Sequence, residues 1–540
     1  MTTTAELVGS TLAGLGVAQA FGVVGSGNFV VTNALRDGGV PFAAARHECG
    51  ATTMADAYAR MSGRLAVVTT HQGCGLTNAL TGITEAAKSR TPLLVLTGDT
   101  PGAAVRNNFR IDQDAAIAAV GAVPERVHSP ASAVADTVRA YRTAVHERRT
   151  VVLNLPLDVQ AAPAEPAPVT LQAAPAPARP AQDAVADLAA ALRAARRPVF
   201  IAGRGARRAG PPLRTLAEAA GALLATSAVA NGLFAGDPWA LGISGGFASP
   251  LTAELITGAD LIVGWGCALN QWTTRHGRLI GPETTLVQVD TDPAALGAHR
   301  PVHLGVLGDT AATARDTLAA LGSTQDGYRD EQVRARISEH ARWRDVPLAD
   351  ESTMDRIDPR VLSRRLDELL PAERIVSVDS GNFMGYPSAY LSVPDEFGFC
   401  FTQAFQSIGL GLATAVGAAL ARPDRLPVAA LGDGGCLMAA AELDTVVRLG
   451  LPMVIVVYND EAYGAEVHHF TGQDHATVRF PETDIAAIGA GFGCAPLTVR
   501  TVADLDGVTG WLDGPRERPL LVDAKITGDG GSWWLAEAFR

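Results

Sequence analysis

Short runs of consecutive apolar residues, each closed by a turn and followed by a stretch with helical spacing, recur along most of the chain. Near the start, "RLAVVTT" leads through a glycine-rich turn into "GLTNALTGITEAAKS" and then "TPLLVLTGD". This alternation predicts a parallel α/β sheet over residues 1–163. From Gln160 to Gln182 the chain reads "QAAPAEPAPVTLQAAPAPARPAQ". Proline at that density sustains neither helix nor ladder pairing and favours an extended linker, placed at 164–183. A second α/β unit, 184–325, carries the strand candidates "RPVFIAGRG", "DLIVGWG" and "TTLVQVDTD", with "AVADLAAALRAA" and "DTAATARDTLAAL" as helices. The polar stretch "STQDGYRDEQVRARISEHARWRDV" is helical by composition and falls largely in a connecting segment, 326–357. A third unit, 358–540, repeats the alternation with "RIVSVDSGN", "LPVAALGDGG", "PMVIVVYND" and "RPLLVDAKI". At roughly 150 residues per domain the 540-residue length agrees with several compact units.

Composition narrows the function classes. The net charge of −12, with no basic cluster interleaved with aromatics, argues against nucleic-acid binding and for a small-molecule substrate. No uncharged apolar run approaches the length of about 18 residues that spans a bilayer, and the start lacks a basic leader, so a cytoplasmic protein without a membrane segment is expected. Cys49, Cys74, Cys267, Cys400, Cys436 and Cys494 are scattered, with no CxxC pair and no histidine at metal spacing. Buried free thiols are expected from them.

The sharpest chemical signal lies in "VAALGDGGCLMAAAELDTVVRLGLPMVIVVYNDEAYG". One apolar strand runs into Gly432-Asp433-Gly434-Gly435 and a second ends at Tyr458-Asn459-Asp460. Parallel strands end on the same edge of their sheet, so Asp433 and Asp460 can converge on one cation. Magnesium takes one or two carboxylates and completes its shell with water and phosphate oxygens. Gly434 and Gly435 let the backbone approach such phosphates at the start of a helix. The bland alternative is a Gly-Asp-Gly turn that only links strand to helix.

"GDGG" followed by "YND" resembles the diphosphate motif of the thiamine-diphosphate enzymes, the group of acetolactate synthase, benzoylformate decarboxylase and pyruvate decarboxylase. The resemblance implies three doubly wound parallel-sheet domains, pyrimidine-binding, central and diphosphate-binding, with thiamine diphosphate and Mg²⁺ as cofactors. It implies a metal held by Asp433, Asp460 and the carbonyl of Ala462, with Asn459 beside the cofactor. Asp460 stands where the family usually has asparagine, which keeps an oxygen donor and adds a negative charge. The chemistry implied is cleavage or formation of the bond beside the carbonyl of a 2-oxo acid, with a 2-hydroxyacyl-coenzyme A lyase as an alternative.

Thiamine chemistry also asks for a carboxyl group that tautomerises the cofactor's aminopyrimidine. In "FAAARHECGATTMADAYAR", Glu48 follows a short apolar run and opens a helical pattern, resembling the family's activating glutamate; the alternative is a glutamate that merely complements a helix start. Because Glu48 and Asp433 lie in different domains, the resemblance implies a site built across two subunits of a homodimer or tetramer. Ile408 matches the apolar residue that props the bent cofactor, or is an ordinary core residue. Ser380, Gly381 and Asn382 resemble a second loop at the diphosphate, or generic turn chemistry.

The substrate side is a mosaic. "FGVVGSGN" and "VVTTHQGCGLTNALTGI" resemble loops of benzoylformate decarboxylase, which implies that Ser26 and His71 face the bound cofactor and substrate. Gln113 falls where acetolactate synthases have an active-site glutamine. Glu466 falls where pyruvate decarboxylase has an acidic residue; beside His468 and His469 it is either a proton donor or part of a polar rim. "IAGRGARRAG" carries Gly203 and Gly205 after a strand but lacks the third glycine of a dinucleotide fingerprint, so FAD or another nucleotide is only weakly signalled. A catalytically dead regulatory paralogue would have lost Glu48 or the metal carboxylates, and both are present.

Overall fold

The computed structural model describes residues 1–169, 173–528 and 532–538. Among them, eighteen strands form three six-stranded sheets in which every pairing is parallel. The first sheet contains β1 (Gln19–Gly22), β2 (Phe42–Ala44), β3 (Ala66–Thr70), β4 (Leu93–Asp99), β5 (Val123–Arg126) and β6 (Thr150–Pro156), in the order β2-β1-β3-β4-β6-β5. The central sheet contains β7 (Pro198–Ala202), β8 (Leu223–Thr226), β9 (Ala240–Ile243), β10 (Leu261–Trp265), β11 (Thr285–Asp290) and β12 (Leu304–Leu307), in the order β12-β11-β10-β7-β8-β9. The third contains β13 (Arg374–Val378), β14 (Phe399–Phe401), β15 (Leu426–Gly432), β16 (Val454–Asn459), β17 (Ala495–Val499) and β18 (Leu520–Lys525), in the order β14-β13-β15-β16-β18-β17. The fold is therefore α/β, three doubly wound parallel sheets. The first and third share one winding, so β1 to β6 correspond one for one to β13 to β18.

The strands read from apolar runs are the long central ones. β3, β4 and β16 are buried along their whole length, because helices cover both faces of a parallel sheet. Of the polar stretch read as helical, Glu331–His340 forms a helix and Trp343–Asp345 a single 3₁₀ turn. In the proline-rich linker, residues 170–172 lie outside the described residues.

Two helices weld the outer domains together. Glu48–Ser62, after β2, crosses Gly411–Ala421, after β14, and Met54, Leu412 and Val416 share one core. The helices approach so closely that a Cβ on Gly417 would strike the Met54 carbonyl. Arg207 ties the central domain to this pair, its guanidinium donating to the carbonyls of Arg60 (3.2 Å) and Glu396.

In an open parallel sheet, ligands bind where the strand order reverses, outside the carboxyl ends of the strands. Here the reversals fall between β1 and β3, between β7 and β10, and between β13 and β15.

Candidate active site

The β13/β15 crevice gathers the residues singled out from the third domain. Gly432 pairs with Tyr458, so Asp433 and Asp460 leave adjacent strands just beyond the same rung. Both carboxylates are shielded from solvent. Burial pushes Asp433 up to about 6, with Asp523 and Glu461 adding to it. Burial, and then the neighbouring charge of Asp433, push Asp460 up to about 7. Two carboxylates whose charge is penalised by burial and by each other form a donor set that a small hard cation satisfies. Among the described residues no group of three or more His, Cys, Asp or Glu is gathered at metal spacing. A cation here would rest on two carboxylates, a backbone carbonyl such as that of Ala462, and oxygens of a ligand. The Asp460–Tyr463 loop is fixed by its backbone: Glu461 takes the left-handed conformation (φ 58°), Ala462 bridges Arg479, and Tyr463 N donates to Val478 O at 2.9 Å.

The surrounding glycines are steric requirements. A Cβ on Gly435 would run into Oδ2 of Asp379, and one on Gly464 would strike Asp460 Oδ2 and lie 3.0 Å from Asn382 Nδ2. Asn382 and Asp460 thus face each other across Gly464. The orientation of Asn382 is set from the chain's end, since Ser532 Oγ donates to its Oδ1 (2.6 Å) and Trp534 Nε1 to its backbone carbonyl (2.9 Å). Gly381 (φ 138°) permits the turn between them, and Ser380 Oγ donates to Gln403 Oε1 at 3.1 Å. Ile408 is half-buried between Gln406 (φ 62°) and Gly409 (φ 85°).

In the β1/β3 crevice, Asn28 shapes the Gly25-Ser26-Gly27 turn by accepting from Gly25 N at 2.8 Å and donating to Val23 O. Ser26 Oγ lies 3.2 Å from His71 Nε2. His71 Nδ1 is 3.1 Å from the Gln72 carbonyl, which can only accept, so Nδ1 carries a proton. Phe109 packs edge-on against the imidazole at 4.9 Å. Glu48, 9% exposed, is the first residue of its helix, with His47 as N-cap, and Asn78 Nδ2 donates to its Oε2 at 3.1 Å.

Two of the singled-out amides are engaged inside their domains, and two cysteines expected to be buried are not. Gln113 sits behind the Gly73 loop: its Oε1 accepts from Gly73 N (2.8 Å), and its Nε2 donates to Gly98 O (3.1 Å) and Asn154 Oδ1 (2.6 Å). At 2% exposure with both ends of its amide engaged, it fixes the Gly73 turn (φ 61°) from within the domain. Asn459 likewise donates to Asp523 Oδ1 (2.8 Å) and accepts from Glu461 N (3.2 Å), which fixes the loop base. Of the cysteines, Cys74 is exposed and Cys49 half-buried. Glu466 and His469 lie on one short helix, 4.0 Å apart, at the outer side of the Asp460 loop. In the central sheet, Gly203 and Gly205 abut the backbone of Gly266, with Gly205 N donating to Gly266 O at 3.0 Å. Their small size is explained by that contact, and no observation calls for FAD.

Residues the pattern did not single out are Asp379, Asn78 and Glu442. Asp379 is fully buried and accepts from the amides of Ser380, Gly409 and Leu410 at 2.8, 3.0 and 3.1 Å, drawing the Ser380 turn and the Ile408 loop together. Burial outweighs those bonds and pushes it up to about 6. An aspartate ending the strand of "VDSGN" was the available signal.

Three family models match in sequence order: thiamine pyrophosphate enzyme, N-terminal TPP binding domain, over residues 2–118; central domain over 185–321; and C-terminal TPP binding domain over 379–524. A probable 2-ketoarginine decarboxylase of Pseudomonas aeruginosa is 32% identical over 92% of this chain and 88% of its own. A sulfoacetaldehyde acetyltransferase of Rhodobacter capsulatus is 30% identical over 100% of this chain and 96% of its own. A probable acetolactate synthase large subunit of Methanocaldococcus jannaschii is 27% identical over 85% and 80%. Ordered domain matches and near full-length similarity agree with the three sheets and the two outer crevices, and the chain belongs to the thiamine pyrophosphate enzyme family.

Proposed function

We propose that this chain is a thiamine-diphosphate- and Mg²⁺-dependent enzyme that breaks or makes the carbon–carbon bond beside the carbonyl of a 2-oxo acid, as a decarboxylase or a carboligase. The observation that carries the reading is the pair of buried carboxylates, Asp433 and Asp460, at adjacent strand ends beside glycines that leave room for a diphosphate. Asp433, Asp460 and the Ala462 carbonyl would hold the metal. Ser380, Gly381, Asn382, Gly432, Gly434 and Gly435 would receive the diphosphate, and Ile408 the body of the cofactor. Bound there, thiamine diphosphate supplies a nucleophilic thiazolium carbon and an electron sink for the bond being broken.

The chain's own residues supply orientation and proton transfer. Glu48 would hold a proton for the aminopyrimidine ring nitrogen of the bound cofactor, and Asn78 would fix that carboxylate. His71 offers Nε2 toward the crevice through Ser26, and in its protonated form would bind the substrate carboxylate. Glu466, with His468 and His469, would donate a proton from the rim. The relatives are named as a decarboxylase, an acetyltransferase and a synthase, which supports carbon–carbon chemistry on a small molecule.

The two crevices belong together across two copies of the chain, in a homodimer or tetramer. Support comes from large apolar residues left open beside both: Phe29 at 56%, Val105 at 66% and Met438 at 65% exposure. No helix among the described residues is long and apolar enough to cross a membrane, which fits the proposed cytoplasmic location.

The test is a screen of pyruvate, benzoylformate, branched 2-oxo acids and 2-hydroxyacyl thioesters for carbon dioxide, aldehyde or ketol release, run beside Glu48→Gln. Turnover of one class that Glu48→Gln abolishes is expected. Turnover unchanged in Glu48→Gln would remove the proposed role of that residue.

A further inference from the structure

The segment that delivers Glu48 is held from the other end of the chain. Between β2 and the Glu48 helix, the amides of Arg46 and His47 precede the first helical turn and have no partner within their own domain's ladder. Oε1 of Glu442, in the third domain, accepts from both, at 3.1 and 3.0 Å. Glu442 is 2% exposed, and Thr445 Oγ1 steadies its other oxygen at 2.6 Å. The same short helix, Glu442–Arg448, also binds the Ala44 carbonyl through Arg448 and the Arg46 guanidinium through Asp444 at 2.6 Å. A Cβ on Gly50 would strike Glu442 Oε1, so the glycine in "HECG" keeps that seat open.

The third domain receives the same treatment in reverse. Glu85, on the helix after β3, accepts from Ala404 N (3.2 Å) and Phe405 N (2.7 Å), three to four residues ahead of Ile408. Arg60 joins Glu85 at 2.9 Å and donates to the Phe401 carbonyl at 3.0 Å. Since β3 corresponds to β15 and β2 to β14, each outer domain uses a carboxylate from its third-strand helix to grip the backbone after the second strand of the other.

We propose that Glu442 is a positioning residue for Glu48: it sets the backbone from which the Glu48 helix starts, and through it the place of the Glu48 carboxylate. The inference rests on the role given to Glu48 above. A carboxylate that transfers a proton to a bound ring must be held closely, and displacement by about 1 Å costs about a hundredfold in rate. Glu442 does not touch the cofactor crevice itself. It acts through two amides.

Hydrogen–deuterium exchange of the apoprotein, read on a peptide containing residues 44–50, reports the brace without any cofactor. In Glu442→Ala, exchange at Arg46 and His47 should quicken at least about tenfold, and kcat of the holoenzyme should fall about 10- to 100-fold. Affinity for thiamine diphosphate with Mg²⁺ should stay within about threefold, because the diphosphate crevice is untouched. Glu442→Gln keeps an oxygen that can accept both amides and should recover most of kcat. Gly50→Ala, whose methyl displaces the carboxylate while leaving its charge, should reproduce both effects, and it stands in if Glu442→Ala does not fold. Native exchange at Arg46 and His47 in Glu442→Ala or Gly50→Ala would overturn the proposal, as would released exchange with kcat retained. Failure of the Glu48 role is a separate result, seen as full turnover in Glu48→Gln.

Discussion

Asn78 Nδ2 donates a 3.1 Å hydrogen bond to Oε2 of Glu48, joining the start of the helix after β2 to the helix after β3. Its loss bears on a group that must be held in one orientation, while an exposed partner adds little to the stability of the fold. Asn78→Ala should lower kcat by about tenfold and leave the melting temperature and cofactor affinity almost unchanged, because Asn78 is exposed. Steady-state kinetics with parallel cofactor titration checks this. An unchanged kcat would mean that the bond does not hold Glu48 in the working state.

Gly434 and Gly435 are adjacent but should respond differently to a methyl group. At Gly435 the added carbon meets Asp379, whose carboxylate is pinned by three backbone amides and cannot step aside. At Gly434 it meets the edge of the Tyr463 ring, an exposed side chain that can swing. Gly435→Ala should destabilise the protein by about 2 kcal/mol or more and remove cofactor binding, while Gly434→Ala should melt within a few degrees of wild type. Thermal melts of the two apoproteins, followed by cofactor titration, separate them. Equal behaviour would mean that Asp379 is not held as described.

The paired carboxylates dictate a pH dependence. Asp433 and Asp460, at about 6 and about 7, lie above the ordinary value of 3.8, so the folded chain binds more protons than the unfolded one across that window. Their contribution to stability therefore declines as pH rises from about 4 through 7. A divalent cation binds the deprotonated pair, and its stabilising effect grows over the same range. The melting-temperature gain from Mg²⁺ with thiamine diphosphate should thus be larger at about pH 8 than at about pH 5.5. Scanning fluorimetry at both values checks this, and equal gains would contradict a site built on these two groups.

How much of this was legible in the sequence follows from the range of each interaction. The three sheets were readable because a strand buried on both faces is a continuous apolar run, as in β4 and β16. The strands missed, such as β2 and β14, are three residues long and too short to show a pattern. Asp433 and Asp460 stand out in the sequence because strand and turn signals surround both. The hydrogen bonds of Gln113 and Asn459 are not legible there, since residue type does not reveal that Asn154 and Asp523 take up their amides. Glu442 and Glu85 lie hundreds of residues from the amides they hold, beyond the reach of any local pattern.

The most direct measurement of the central claim is calorimetric titration of the apoprotein with thiamine diphosphate, with and without Mg²⁺, on wild type and on Asp433→Asn. The account predicts saturable binding that requires Mg²⁺ and is weakened at least about tenfold in Asp433→Asn. Binding that is indifferent to Mg²⁺ and to Asp433, or no binding under either condition, would contradict it.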